Sequence, residues 1–274
     1  MSKHQYNVAI LIPTRGRTDQ LSRCIKSIVT RAVDKKKIQL LIGFDNDDSI
    51  GREYFDSKVQ SWLDENEIAY TVLEFERMGY QGLNRYYNAL AEHMDADWLF
   101  GWSDDAIMET AGWDRVITKH TGEFKLLKAH AHNEHPYSIF PMWPAEWYEL
   151  FGHVSRHQMI DAELSQMAYM LDLIEIVDIY ITHDRPDLTK TKEDTTHKER
   201  VLFEGNPSDP RDFHHVSFNQ ARINDSETIA KYLKSNGVDT TFWENVKTGK
   251  QDPWEKLKKN DPHGQMTQKQ VRIA

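Results

Sequence analysis

The chain has 274 residues, enough for one large domain with an extension and for a sizeable core. Hydrophobic residues make up 39% and charged residues 28%, and the 8 Trp, 11 Tyr and 11 Phe exclude a largely disordered chain. A formal net charge of −9 excludes broad, sequence-independent binding to nucleic acid, which needs a basic surface, but leaves room for a local basic groove.

Residues 7–12 (NVAILI) form a continuous apolar run that suits a buried strand. The run ends in Pro13 and is too short for a signal peptide or a membrane span. A Pro/Gly turn follows at 13–18 (PTRGRT). Leu21, Cys24, Ile25, Ile28 and Val29 then recur at helical spacing over 19–32, with Thr18 or Asp19 as the expected N-cap. Cys24 is the single cysteine, so no internal disulfide forms and a reducing, cytoplasmic setting is expected. It falls on the apolar side of that helix and reads as a core residue.

The strand–loop–helix unit repeats. Residues 38–44 read as a second buried strand ending in Asp45–Asp48, and 52–64 as a helix. Residues 68–75 read as a third strand, 82–94 as a helix, and 97–101 as a short strand ending in Trp102-Ser103-Asp104-Asp105. Further on, strands are expected at 124–131, 137–142 and 174–181, and helices at 144–151 and 157–172. From about 187 the composition turns polar. The stretch 187–274 reads as an appendage with a helix at 225–236, whose Phe242, Trp243 and Trp254 dock on the main body. Continuous apolar strands alternating with helices imply an α/β fold with a mostly parallel central sheet flanked by helices. In such sheets ligands sit beyond the carboxyl ends of the strands. The polar strand ends at Thr14–Arg17, Asp45–Asp48 and Ser103–Asp105 are therefore expected to share one crevice.

Asp104 and Asp105 carry the clearest chemistry. Adjacent carboxylates at a strand end repel unless a positive charge offsets them. A divalent cation such as magnesium or manganese does so, and bound phosphates follow. The alternative is a solvated acidic turn. His130, His132 and His135 suit zinc, the acceptor side of a cleft, or a plain surface. Trp143, Trp147 and Tyr148 either stack on a sugar or pack in the core.

The order of these motifs resembles the GT-A glycosyltransferases, family 2 in particular. NVAILIPTRGRTDQLSRCIKSIV resembles their opening strand, turn and helix; LLIGFDNDDS resembles the second strand with its acidic nucleotide contact. GLNRYYNALAEHMDADWLFGWSDDAIM resembles the helix, strand and aspartate motif that bind donor and metal. The resemblance covers 7–110 well, 111–186 loosely and 187–274 not at all. It departs at one place: the first acid of the usual Asp-x-Asp motif falls at Trp102.

The resemblance implies a GT-A domain over 1–186, with a nucleotide-sugar half (1–110) and an acceptor half (111–186), and a C-terminal extension over 187–274. It implies that Pro13, Thr14 and Arg15 line the base and ribose pocket, with Arg17 near the phosphates. Asp45 would contact the base or ribose, and Asn84 or Arg85 would face the nucleotide. Asp104 and Asp105 would meet the Mn2+ or Mg2+, with His183 as a late metal ligand and Asp184 as its alternative. Asp161 would be the general base of an inverting, hexosyltransferase-like reaction, with Glu163 beside it. The implied donor is a nucleoside-diphosphate sugar. The acceptor is open among a saccharide, a protein and a modified nucleobase, and the Lys-rich stretch 247–259 keeps the last in play. Two other readings stand: a sugar nucleotidyltransferase, disfavoured by the single glycine of PTRGRTD, and a non-catalytic nucleotide-sugar-binding module.

Overall fold

The apolar run at the start of the chain is strand β1 (Tyr6–Thr14), near the middle of an eight-stranded sheet. The computed structural model describes residues 3–131, 134–184 and 208–261. Strand order is β3-β2-β1-β4-β7-β6-β8-β5. The other strands are β2 (Ile38–Asp45), β3 (Ala69–Phe75), β4 (Ala96–Gly101), β5 (Ala106–Met108), β6 (Leu126–His130), β7 (Pro141–Pro144) and β8 (Ile174–His183).

The expected mostly parallel sheet is a mixed one: of the seven strand pairings among the described residues, four are parallel and three antiparallel. β3, β2, β1 and β4 are mutually parallel and β8 runs parallel to β6, but β7 runs antiparallel to both β4 and β6, and β5 antiparallel to β8. The reason lies in the connections. Parallel neighbours need a crossover of about a dozen residues or more. Only residues 131–140 separate β6 from β7, so the chain turns back on itself.

Helices cover both faces. On one side α1 (Thr18–Arg31) buries Leu21, Cys24, Ile25, Ile28 and Val29, the residues at helical spacing. Its N-cap is Arg17, without a side-chain cap bond, rather than Thr18 or Asp19. Beside it run α2 (Ser49–Tyr54), a π-helical turn (Phe55–Val59) and α3 (Gln60–Glu65). Phe55 and Val59, four residues apart and so on one face, are both in the core. α5 (Trp113–Thr118) closes this layer through Trp113 and Ile117. On the other side lie α4 (Leu83–Ala91), α6 (Ala145–Phe151) and α7 (Ile160–Met170). Each fully buried aliphatic side chain in these two layers stabilises the fold by about 1.5–3 kcal/mol.

The stretch expected as an appendage joins the second layer. Helices α8 (Val216–Ser235), α9 (Thr241–Lys247) and α10 (Glu255–Lys259) place Ile229, Leu233, Trp243, Val246 and Leu257 in the same core cluster as α6 and α7, and Phe213 and Trp254, just before α8 and α10, join them. Phe242 packs against that cluster from its edge. The rest of the expected extension, 187–207 and 262–274, lies outside the described residues, as do 185, 186 and His132. No described helix is long and apolar enough to cross a membrane.

Candidate active site

The parallel strands β1, β2 and β4 end on the same side of the sheet, and a cleft of about 270 Å³ opens over those ends. Pro13, Thr14, Arg15 and Arg17 line it from the end of β1, Asp45 from β2, and Trp102 to Asp105 from β4. Of the sequence-derived site residues, Asp161 and His183 also line it. Asn84 and Arg85 do not. They lie on α4, but its cleft-facing positions are Leu83, Tyr86 and Tyr87, one helical face. Asn84 instead reaches the Ser155 carbonyl at 3.4 Å, and Arg85 points to solvent.

At the nucleotide end, loop 14–17 is braced to loop 45–48. Arg15 Nη1 donates to Asp45 Oδ2 at 2.8 Å, and Nη2 to Asp47 Oδ2 at 3.0 Å. Asp48 caps α2 by accepting from Gly51 N at 3.1 Å, and it also accepts from Gly16 N at 2.7 Å. The Tyr86 hydroxyl donates to Asp45 Oδ1. Burial, and then the Asp45 carboxylate, push the Tyr86 phenol up to about 12. Gly43 lets this end of β2 close up: a Cβ there would lie 2.7 Å from the Phe75 ring.

The acidic end is denser. Asp104 and Asp105 are only 4% and 6% exposed. Asp104 accepts from Thr14 Oγ1 at 2.6 Å and from Arg17 Nη1 at 2.7 Å. Asp105 sits 2.7 Å from the same Arg17 nitrogen and 3.1 Å from His183 Nε2, and it also accepts from the Ser103 hydroxyl. The three-residue strand β5 creates this meeting. It starts at Ala106, directly after Asp105, and pairs Ala106 with His183 of β8. Burial acts against ionisation of both carboxylates. For Asp104 it prevails, aided by repulsion from Asp105, and pushes the carboxyl up. For Asp105, His183, Arg17 and Ser103 outweigh burial and hold the carboxyl below its usual range.

Trp102, standing where the related motif has its first acid, is a core residue. Its ring is buried against Phe100 and Phe140, and its Nε1 donates to Cys24 Sγ at 3.0 Å. Trp143 and Trp147 are likewise buried in the core. His130 stacks on Tyr180, with ring centroids 4.7 Å apart, and neither His130 nor His135 lines the cleft. Asp161 opens the first turn of α7 on the cleft wall. Glu163, two residues on, is turned inward. It accepts from Ser155 Oγ at 2.7 Å and from the amides of Arg156 and His157 at 3.1 and 3.0 Å, which fixes loop 155–157.

Sequence reasoning missed several lining residues. Arg77, Gly79 and Tyr80 belong to the loop after β3, and Ile139, Phe140, Gln158 and Ile160 form the opposite wall. The strand-end rule would have flagged the first group, since RMGYQG directly follows a parallel strand. The wall residues carry no such signal. Gln158 Nε2 is buried there without a hydrogen-bond partner.

A mannosyltransferase from Pyrobaculum calidifontis in complex with GDP-Man and Mn2+ superposes on the chain with a TM-score of 0.54 at 10% identity, over 90% of this chain and 80% of that one. TarS 1–349 from S. aureus, in complex with UDP-GlcNAc, gives 0.55 at 9% identity, over 88% and 79%. The same TarS segment with UDP gives 0.51 at 9% identity, over 66% of this chain and 61% of that one. The chain has the GT-A fold. No protein-family model matches it, and no curated protein matches it significantly. In the GT-A frame the cleft lies where ligands bind in open α/β sheets, at the carboxyl ends of the strands. Among the described residues, no group of three or more His, Cys, Asp or Glu side chains is arranged to hold a metal ion as it stands. The donor chemistry of Asp104, Asp105 and His183, hard oxygens with one imidazole, nonetheless suits a divalent cation. Arg17 already fills the role of the cation between the two carboxylates.

Proposed function

We propose that the chain is a cytoplasmic glycosyltransferase of the family 2 type. It moves a hexose from a nucleoside-diphosphate sugar to an acceptor hydroxyl, with inversion and with a divalent cation, manganese or magnesium. The observation that carries this reading is the gathering of Asp104, Asp105, His183 and Arg17 at the strand ends of a GT-A fold. The GDP-Man and UDP-GlcNAc complexes of the two structural neighbours support a nucleotide-sugar donor.

Each residue has a role in this reading. Pro13, Thr14, Arg15 and Asp45 bind the nucleoside, with Tyr86 and Arg15 fixing the Asp45 carboxylate. Asp105 and His183, with Asp104 beside them, would hold the cation. When bound, it would offset the negative charge that builds on the departing diphosphate. Asp161 takes the proton from the acceptor hydroxyl as that oxygen bonds to the anomeric carbon and the bond to the diphosphate breaks. Asp161, Gln158, Phe140 and Ile160 form the acceptor wall. The unpartnered Gln158 amide is suited to a hydroxyl or carbonyl of the bound sugar or acceptor. Glu163 serves the loop and not the chemistry, because its oxygens are already filled. The division of the chain into a donor half, an acceptor half and an extension belongs to the same proposal.

The test uses sugar nucleotides with water as the acceptor. The wild-type protein is expected to release UDP or GDP slowly from one of them, and Asp104→Asn to abolish the release while its circular dichroism stays native. Full release by Asp104→Asn would remove the carboxylate pair from the mechanism.

A further inference from the structure

Arg17 stands where the proposed cation would be needed. One of its nitrogens lies 2.7 Å from Asp104 Oδ1 and 2.7 Å from Asp105 Oδ2. Two buried carboxylates side by side need an opposite charge between them, and this guanidinium supplies it. Arg17 is also placed to leave. It is the last loop residue before α1, it lines the cleft, and its side chain is 19% exposed. Its fork fits a phosphate as well as it fits a carboxylate.

We propose that Arg17 is a built-in counter-ion that makes cation and nucleotide binding depend on each other. In the donor-free protein it occupies Asp104 and Asp105. When a nucleoside diphosphate and a divalent cation enter together, Arg17 passes to the phosphates and the cation takes the carboxylates. A cation alone must displace a well-placed guanidinium. A diphosphate alone must draw Arg17 away and leave two buried carboxylates unbalanced. Each ligand alone therefore binds weakly, and each strengthens the other by the same factor. This rests on the nucleotide-sugar reading and adds a positioning role for one residue to it.

The experiment measures Mn2+ affinity calorimetrically, with and without saturating UDP or GDP, for the wild-type protein, Arg17→Gln and Arg115→Gln. Couplings between sites of this kind are about 5–150-fold. In the wild-type protein, nucleotide is expected to tighten Mn2+ binding by a factor in that range. Arg17→Gln is expected to bind Mn2+ alone more tightly than wild type and to bring the nucleotide effect close to one-fold. Arg115→Gln, which removes an exposed positive charge on α5 outside the cleft, is expected to keep the coupling. Thermal melts show whether each variant folds, and Arg17→Lys, which keeps the charge without the fork, replaces Arg17→Gln if the latter does not; its coupling is expected to shrink. Equal Mn2+ affinity and equal coupling in the Arg17 variant and wild type would overturn the counter-ion role while leaving the metal reading intact. No Mn2+ binding by any of the proteins, with or without nucleotide, would overturn both.

Discussion

Asp161 and Glu163 are two residues apart on one helix, yet their surroundings give them opposite uses. Asp161 faces the cleft, while Glu163 is 1% exposed and accepts from a hydroxyl and two amides. Positioned general bases contribute about 10²–10⁴-fold to rate. Asp161→Asn is therefore expected to lower turnover by about that factor with donor affinity unchanged, measured as kcat against the Kd of the nucleotide. A change in nucleotide affinity as large as the change in turnover would place Asp161 in the donor site instead. At this scale much of the cleft was legible in the sequence, because Arg15, Arg17, Asp45, Asp104 and Asp105 all directly follow apolar strands. Asn84 and Arg85 lie off the cleft because the face of α4 that lines it carries Leu83, Tyr86 and Tyr87, and polar character alone does not tell which face of a helix meets a ligand. The two tyrosines sit at the core edge and also send their hydroxyls to the site, Tyr86 to Asp45 and Tyr87 to the Trp102 carbonyl at 2.7 Å.

The elements themselves were legible where burial follows a simple period. β1, β2, α1 and β8 were read within a few residues of their ends, because their apolar residues are continuous, recur at helical spacing or, in β8, alternate along the strand. Helix α8 was read nine residues short at its start, since Arg222 is the only buried residue of 216–224 and no period of apolar residues marks that stretch. β5 was missed because three residues show no period, although it is the strand that brings His183 to Asp105. The loop before α7 carries a pH-dependent tie that no sequence pattern announces. His157 Nδ1 accepts from the Met159 amide at 3.1 Å, and Nε2 donates to the Arg211 carbonyl at 2.9 Å. Both nitrogens are satisfied only in the neutral ring, and burial pulls its pKa down from 6.5 to about 4. In the unfolded chain the ring titrates at its ordinary value. Between these two values the unfolded state therefore binds more protons, and stability falls as pH drops through that window. The expected loss is at most about 3 kcal/mol. His157→Gln is expected to flatten the slope of urea-unfolding free energy between pH 7 and pH 5. An unchanged slope would show that other groups set it.

Across the whole molecule, residues 208–261 complete the second core layer. Trp243 is 2% exposed in the cluster that includes α6 and α7. Truncating a buried tryptophan costs about 3–5 kcal/mol. Trp243→Ala is expected to lower the urea-unfolding free energy by that amount in a single transition shared with the rest of the chain. A separate early transition would mark the C-terminal helices as an independent unit. The sheet and the cleft belong to the same design: four parallel strands end together, β5 and β8 return the chain to that end, and α7 supplies the far wall. The most direct test of what this arrangement serves is calorimetric titration of UDP and of GDP into the wild-type protein, with and without manganese. One of the two is expected to bind with manganese present and much more weakly without it, and Asp105→Asn to lose that gain. Failure of both nucleotides to bind under either condition would contradict a nucleotide-sugar site in this cleft.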